Sequence, residues 1–330
     1  MRLAAALVLT GCSMAPALRP PVTMSQTMRV TPGEAAASQP DTGASWIAAG
    51  AASSGPLLFL TDFRNYDVYV YTVPKLKMVE RITGFFQPQG ECSDAHGNVW
   101  ITNTGAQQIL EFRPGSKRPI ATLSDSRGYP AGCAINLRNG DLAVTDIFDV
   151  DGSGGVLVFR NARGTPKPYL NPEQYYYYFA GYDDKGNLYA SGQTASSNSN
   201  AYILSVLPVG GHTMSTVEIH GAQLYFPGEV FRSGSSIVLG DQECGGKKTS
   251  CLYETRITAK TATVTKKIAL TGSCDVAETA LTSNAGLFGG DYCPPGGRST
   301  ADRWRFPEGG KPLVTVPGNH DPIGAAIVNP

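Results

Sequence analysis

Residues 88–103 read PQGECSDAHGNVWITN, and the stretch has the form of a β-hairpin. Its centre, DAHGN, gathers Asp, Gly and Asn, which favour tight turns by bonding their own backbone or by tolerating positive φ. The VWIT run behind it is β-branched and aromatic, as strands prefer. In front, PQGEC sets the carboxylate of Glu91 beside the thiol of Cys92. Whether that pair is a single reactive site or one copy of a repeated unit decides how the whole chain is read.

The unit recurs. Pro130-Ala131-Gly132-Cys133 runs through AINLRNG into DLAVTD and ends at Asp146. Phe179-Ala180-Gly181-Tyr182 runs through DDKGN into LYASG and ends at Gly192. Phe226-Pro227-Gly228-Glu229 runs through VFRSGS into SIVLGD and ends at Asp241. Asp275-Val276-Ala277-Glu278 runs through TALTSNAG into LFGGD and ends at Asp291. Each copy is an apolar strand, a Gly- or Asn-bearing turn and a second strand closing on a small or acidic residue, the pattern of a hairpin. Two more strand-like runs follow each hairpin, as QILEFR and PIATL follow the first. The second strands end at Asn103, Asp146, Gly192, Asp241 and Asp291, in steps of 43, 46, 49 and 50 residues. Four strands per repeat at that period mark β-propeller blades.

The chain ends supply the remaining copy. GPLLFLTD (55–62) reads as a second strand without a first, and DPIGAAIV (321–328) as a first strand without a second. Pairing them builds one more blade and leaves no open edge between the first blade and the last. The expected fold is all-β, a six-bladed β-propeller over residues 55–330 closed by its N- and C-terminal strands, with about 46 residues per blade.

Composition narrows the function. The 27 basic and 27 acidic residues balance, so bulk electrostatics gives no support for binding nucleic acid or an anionic membrane. The 38 Gly and 23 Pro suit a turn-rich fold. MRLAAALVLTGC has one Arg, an apolar run and small residues before a cut, as an export signal does. Residues 13–54 are rich in Pro, Ala, Ser and Thr without a sustained period. They are expected to form a flexible tether, with Trp46-Ile47 docking on the domain.

Resemblance adds to this reading. Leu9-Thr10-Gly11-Cys12 resembles a bacterial lipoprotein lipobox, which implies lipidation of Cys12 and anchoring in the cell envelope. GNVWITN, GDLAVTD and GNLYASG resemble the NHL-type and YVTN-type repeats of bacterial six-bladed propellers, including secreted lipoproteins without an assigned activity. That likeness implies fold more than function, since propellers host enzymes, receptors and scaffolds alike.

The position after the repeat glycine holds Glu91, Cys133, Tyr182, Glu229, Glu278 and Ala325. Three carboxylates are therefore expected at the channel mouth. Like charges sharing a dry site raise one another's pKa or call for a cation. Ca²⁺, with its oxygen ligands, is the candidate metal for Glu91, Glu229 and Glu278. The structural alternative has each Glu bonding a neighbouring blade's backbone. The acids that end the second strands are expected to bond their own turns. Asp149–Gly154 lacks the first acid and final Glu of a calcium loop and reads as a solvated hairpin loop. In Tyr175–Phe179, alternation sends some rings between blades and others to a binding lip, with Tyr178 and Tyr182 as candidates.

No G-x-S-x-G, H-E-x-x-H or C-x-x-C occurs. A gluconolactonase-like enzyme places Asn or Asp just before the glycine of several inner strands. Here those places hold Gln89, Ala131, Ala180, Pro227 and Ile323, a departure that counts against lactonase chemistry. The expected function is a ligand- or protein-binding scaffold in the cell envelope, a monomer meeting a protein, peptide or glycan. The alternative is a divalent-metal-dependent hydrolase. Seven cysteines in an exported chain invite disulfides. The blade register pairs Cys274 with Cys293 and Cys244 with Cys251. Cys92 and Cys133, on neighbouring inner strands, are expected to be buried thiols.

Overall fold

A computed structural model of the protein describes residues 44–53, 55–149, 152–195, 201–293 and 298–329. The leader, Cys12 and residues 13–43 of the expected tether lie outside the described residues.

The strands form six antiparallel meanders of four, each with its first strand innermost. The inner strands are Pro322–Val328, Pro88–Ser93, Gly128–Ile135, Tyr176–Tyr182, Pro227–Ser233 and Thr279–Leu281. The second strands are Leu57–Asp62, Val99–Asn103, Leu142–Asp149, Leu188–Gln193, Ser236–Asp241 and Gly286–Asp291. The first blade is the expected composite, with Leu58 facing Ile327 and Leu60 facing Ala325 across the two chain ends. The outer strands of the fourth and fifth blades, Ser215–His220 and Thr261–Leu270, also pair in parallel, so these two blades share one sheet. Trp46–Ile47 adds an edge strand to the first blade, opposite Arg81 and Glu80.

The local chemistry explains the hairpins. In DAHGN the Asp94 carboxylate accepts the N–H of His96 at 2.8 Å and of Asn98 at 2.9 Å. Gly97 supplies the positive φ of 76°. DDKGN repeats this, with Asp183 accepting from Lys185 and Asn187 and Gly186 at φ 90°. Val99–Asn103 is buried along its whole length. A strand packed on both faces carries a continuous apolar run instead of an alternating one. Its neighbours include Phe59 and Val70 of the first blade and Val144 and Phe159 of the third.

Side chains near the second-strand ends hold the ring. Thr61, Thr102, Thr145 and Ser191 each donate a hydroxyl to a carbonyl of the next blade's inner strand: Gln89, Ala131, Tyr178 and Gly228. The hydroxyl in LTD, ITN, VTD and ASG is thus an inter-blade tie. The acids beside it act within their own blade. Asp62, Asn103, Asp241 and Asp291 accept N–H groups from the segment entering the inner strand, namely 320–321, 86, 225–226 and 274–275. The turn bonding expected from the sequence is made as well: Asp241 accepts the N–H of Glu243, two residues on, at 3.1 Å, and Asp62 that of Asn65 at 3.0 Å.

The Cys274–Cys293 and Cys244–Cys251 disulfides form as expected. Cys92 and Cys133 are bonded as well, which corrects the expectation of free thiols. Gly90 and Gly132 explain it. A Cβ on Gly90 would lie 2.4 Å from Ala131 O, and one on Gly132 2.6 Å from Tyr178 O. Without side chains there, the inner strands close to a Cα–Cα distance of 5.6 Å at the two cysteines, well inside disulfide reach. Three disulfides fit maturation in an oxidising compartment. Among the described residues, no helix is long and apolar enough to cross a membrane.

Candidate functional site

The central channel has two unlike ends. At the entry end of the inner strands, Phe63, Ile147, Tyr178, Phe179, Phe226 and Ile323 pack into one apolar cluster with Ala131 and Ala277. These residues come from five blades and plug the channel. Gln89 joins from the remaining blade, 1% exposed, with neither amide atom hydrogen-bonded. Of the positions where a lactonase-like enzyme would carry its Asn or Asp ligands, Ala131 and Ile323 lie in this plug.

At the exit end the channel opens into a cavity of about 460 Å³. Glu91, Cys133, Tyr182, Glu229, Glu278 and Ala325, the residues that follow the repeat glycine or its equivalent, all border it. By repeat register they are expected at the mouth where the inner strands start. They lie instead beyond the plug, deeper along those strands, and their cavity opens the other way.

The three glutamates differ in environment. One Glu229 oxygen accepts both the N–H and the hydroxyl of Thr279, each at 2.7 Å. One Glu278 oxygen accepts the N–H of Glu91 at 3.0 Å and of Ala325 at 3.1 Å, tying the sixth blade to the first and second. In part these two therefore play the structural role of bonding neighbouring blades. Glu91 does not. It is 2% exposed, and neither of its oxygens meets a hydrogen-bond donor at full geometry. Burial pushes its pKa well above the usual carboxylate range, offset only by the Ala326 amide. Burial raises Glu278 as well, and the nearby charges of Glu229 and Glu91 raise it further. Glu229 is raised by burial against the bonds from Thr279. No Lys or Arg contributes to any of the three. Arg138 and Arg232 stand on the cavity wall, where their guanidinium groups bond the Asp184 and Gly234 carbonyls.

Among the described residues, the set of three potential metal ligands with donor atoms within 4.8 Å of one another is Cys274, Asp291 and Cys293. Its two thiols are spent on a disulfide. The three glutamates do not form such a set, so a single ion held by all three needs side-chain movement.

Tyr182 borders the cavity. Tyr178 does not reach it. Its ring is fully buried in the plug and its hydroxyl bonds Gln193 at 3.1 Å. Tyr177 is equally buried, between blades. A register shift between Tyr177 and Phe179 breaks the alternation, so that consecutive rings both point inward. That bulge could not be read from the tyrosine run itself.

No family model matches the sequence. A stretch of 39 residues is 41% identical to peptidyl-alpha-hydroxyglycine alpha-amidating lyase 2 of Drosophila melanogaster, covering 12% of this chain and 10% of that protein. Three solved structures share the fold. A chain of a nidogen/laminin complex matches at TM-score 0.62 and 14% identity, over 83% of this chain and 98% of its own. A protein of unknown function from Bacteroides caccae matches at TM-score 0.62 and 10% identity, over 83% and 99%. Kuenenia stuttgartiensis hydrazine synthase matches at TM-score 0.52 and 12% identity, over 74% and 72%. At these identities the likeness shows the fold alone: the chain is a β-propeller.

Proposed function

We propose that the protein is an envelope-anchored binding propeller whose exit-end cavity receives the cationic group of a ligand. Glu91 carries this reading. A carboxyl buried without a base or a full set of donors is costly to ionise. A cation entering the cavity offsets that cost for Glu91, Glu229 and Glu278 together. Tyr182 and Phe231 supply apolar wall beside the carboxylates. The resemblance of residues 9–12 to a lipobox supports a location outside the cytoplasm, where a peptide, glycan or protein partner is met. Fractionation tests the anchor: Cys12→Ser is expected to move the protein to the soluble fraction, and retention in membranes contradicts it. A pull-down from envelope extract tests the cavity. Wild type is expected to capture a partner that Glu91→Gln loses, and equal capture by both contradicts the assignment.

The mutual charge of the three glutamates favours one second reading, a Ca²⁺-dependent hydrolase. Its mark would be hydrolysis of a lactone or ester that stops with chelator and returns with Ca²⁺. The short match to a lyase covers too little of either chain to choose between the two.

A further inference from the structure

The repeat register exposes one acidic residue that has lost its structural task. In four blades the acid or amide ending the second strand accepts backbone N–H groups of the segment entering the inner strand. Asp146 holds that place in the third blade and accepts none. The incoming segment brings Asp125 instead, and Asp125 Oδ1 accepts the N–H of Gly128 at 3.0 Å and of Arg127 at 3.2 Å. The Asp146 carboxyl lies against the same glycine: a Cβ on Gly128 would sit 2.3–2.4 Å from all three of its terminal atoms. Both carboxyls thus converge on Gly128, which has no side chain to separate them.

Neither carboxyl is fully satisfied. Asp146 is 5% exposed and Asp125 4%, yet Asp146 Oδ1 and Asp125 Oδ2 are buried without a hydrogen-bond partner. Asp149, three residues on, has a buried unpartnered Oδ1, while its Oδ2 meets Arg127 Nε at 3.2 Å. The Arg127 side chain is 61% exposed, so this ion pair is on the rim. Burial raises the Asp146 pKa well above its usual range, and contact with Asp125 and the charge of Asp149 add to the effect.

We propose that Asp125, Asp146 and Asp149 form a divalent-cation site of the calcium class at the plugged end of the channel, separate from the glutamate cavity. The donors are oxygen only, which suits a hard cation and disfavours zinc or copper. Three carboxylates are a partial shell for an ion that takes about six to eight oxygens, and water entering past Asp149 completes it. The three are not yet within the 4.8 Å span of one ion, so binding draws Asp149 inward while Arg127 keeps the outer oxygen. The ion pins the start of the third inner strand to the end of its second strand, the task that Asp62, Asp241 and Asp291 perform alone.

Terbium is the probe, because Tyr129 follows Gly128 and its ring packs on Phe148 at 4.6 Å, close enough to sensitise a bound lanthanide. The full chain, stripped with chelator, is titrated with Tb³⁺ under tyrosine excitation and then with competing Ca²⁺. Wild type is expected to give saturable emission that Ca²⁺ displaces. Its melting temperature is expected to rise about 5–10 °C at a hundredfold Ca²⁺ excess over the dissociation constant. Asp146→Asn should weaken binding at least about tenfold, the loss of one carboxylate ligand in a hard-cation site. Tyr129→Phe should dim the emission without changing affinity. Glu308→Gln, an exposed turn residue of the sixth blade, should leave the signal in place. If Asp146→Asn misfolds, Asp125→Asn and the wild-type titration decide the question. No Ca²⁺-dependent shift in wild type overturns the proposal. So does unchanged affinity in Asp146→Asn.

Discussion

The two ends of the channel lie along the same six inner strands and do opposite things. At the entry end, Phe63, Tyr178, Phe226 and Ile323 turn large apolar groups to the axis and seal it. At the exit end, only a few residues further along, Glu91, Glu229 and Glu278 face a cavity of about 460 Å³. A seal of this kind gains by excluding water, whereas buried carboxyls lose by it. Propeller symmetry therefore fixes where side chains point without fixing which end is open. That second property is set by a handful of residues, and each can be changed.

Deleting residues 321–330 strips both ends at once, since Ile323 belongs to the plug and Ala325 to the cavity wall. It also leaves Leu57–Asp62 without its inner partner. Loss of a cooperative melting transition is expected, and an unchanged melting temperature would break the closure of the ring.

Phe226→Ala attacks the plug alone. Phe226 is 3% exposed, and truncating a buried phenylalanine costs about 3–5 kcal/mol. Denaturant melts should show that loss, and a change below about 1 kcal/mol would mean that the plug is not tightly packed.

The Cys92–Cys133 bridge links two inner strands at the cavity end, across a sequence separation of 41. For a loop of that length the chain-entropy model gives about 4 kcal/mol. Replacing both cysteines by serine should lower stability by roughly that amount, and by less if the exit end is held mainly by its glutamates.

The smallest effect is electrostatic. The Glu278 pKa is raised in the folded state, so the folded protein holds a proton that the unfolded chain has lost. Its stabilising contribution is complete in acid, below the unfolded carboxylate pKa, and is lost as pH rises toward the folded value. Stability should therefore fall as pH rises above about 4.5. Glu278→Gln should flatten that slope by up to about 1.4 kcal/mol per pH unit. A parallel pH profile for the variant would show that Glu278 ionises freely and that the cavity is wet.

The sequence carried the hairpins well because their turn chemistry is local: Asp94 and Asp183 cap their own turns, and Gly97 and Gly186 accept positive φ. Two disulfides followed from the same register. What it could not carry depends on how closely strands from different blades approach. The Cys92–Cys133 bond rests on contacts at Gly90 and Gly132, and the burial of Tyr178 rests on a bulge. The three glutamates were legible as a group, but not their position beyond a plug, because alternation is identical at both ends of a strand. The threonine ties were in plain view in LTD, ITN and VTD. A hydroxyl one residue before the strand end at Asp62, Asn103, Asp146 and Gly192 was the signal, with Gly240 and Gly290 in that place in the last two blades.

The channel's asymmetry can be tested on a single strand. Ile323 and Ile327 both lie on Pro322–Val328, Ile323 in the plug at 1% exposure and Ile327 partly exposed on the cavity wall. Ile323→Cys and Ile327→Cys, each in the otherwise native chain, are treated with a small maleimide and followed by mass spectrometry. The open-exit, sealed-entry channel predicts rapid labelling of the cysteine at 327 in the native protein, and labelling at 323 only on unfolding. Labelling at 323 as fast as at 327 under native conditions would contradict it.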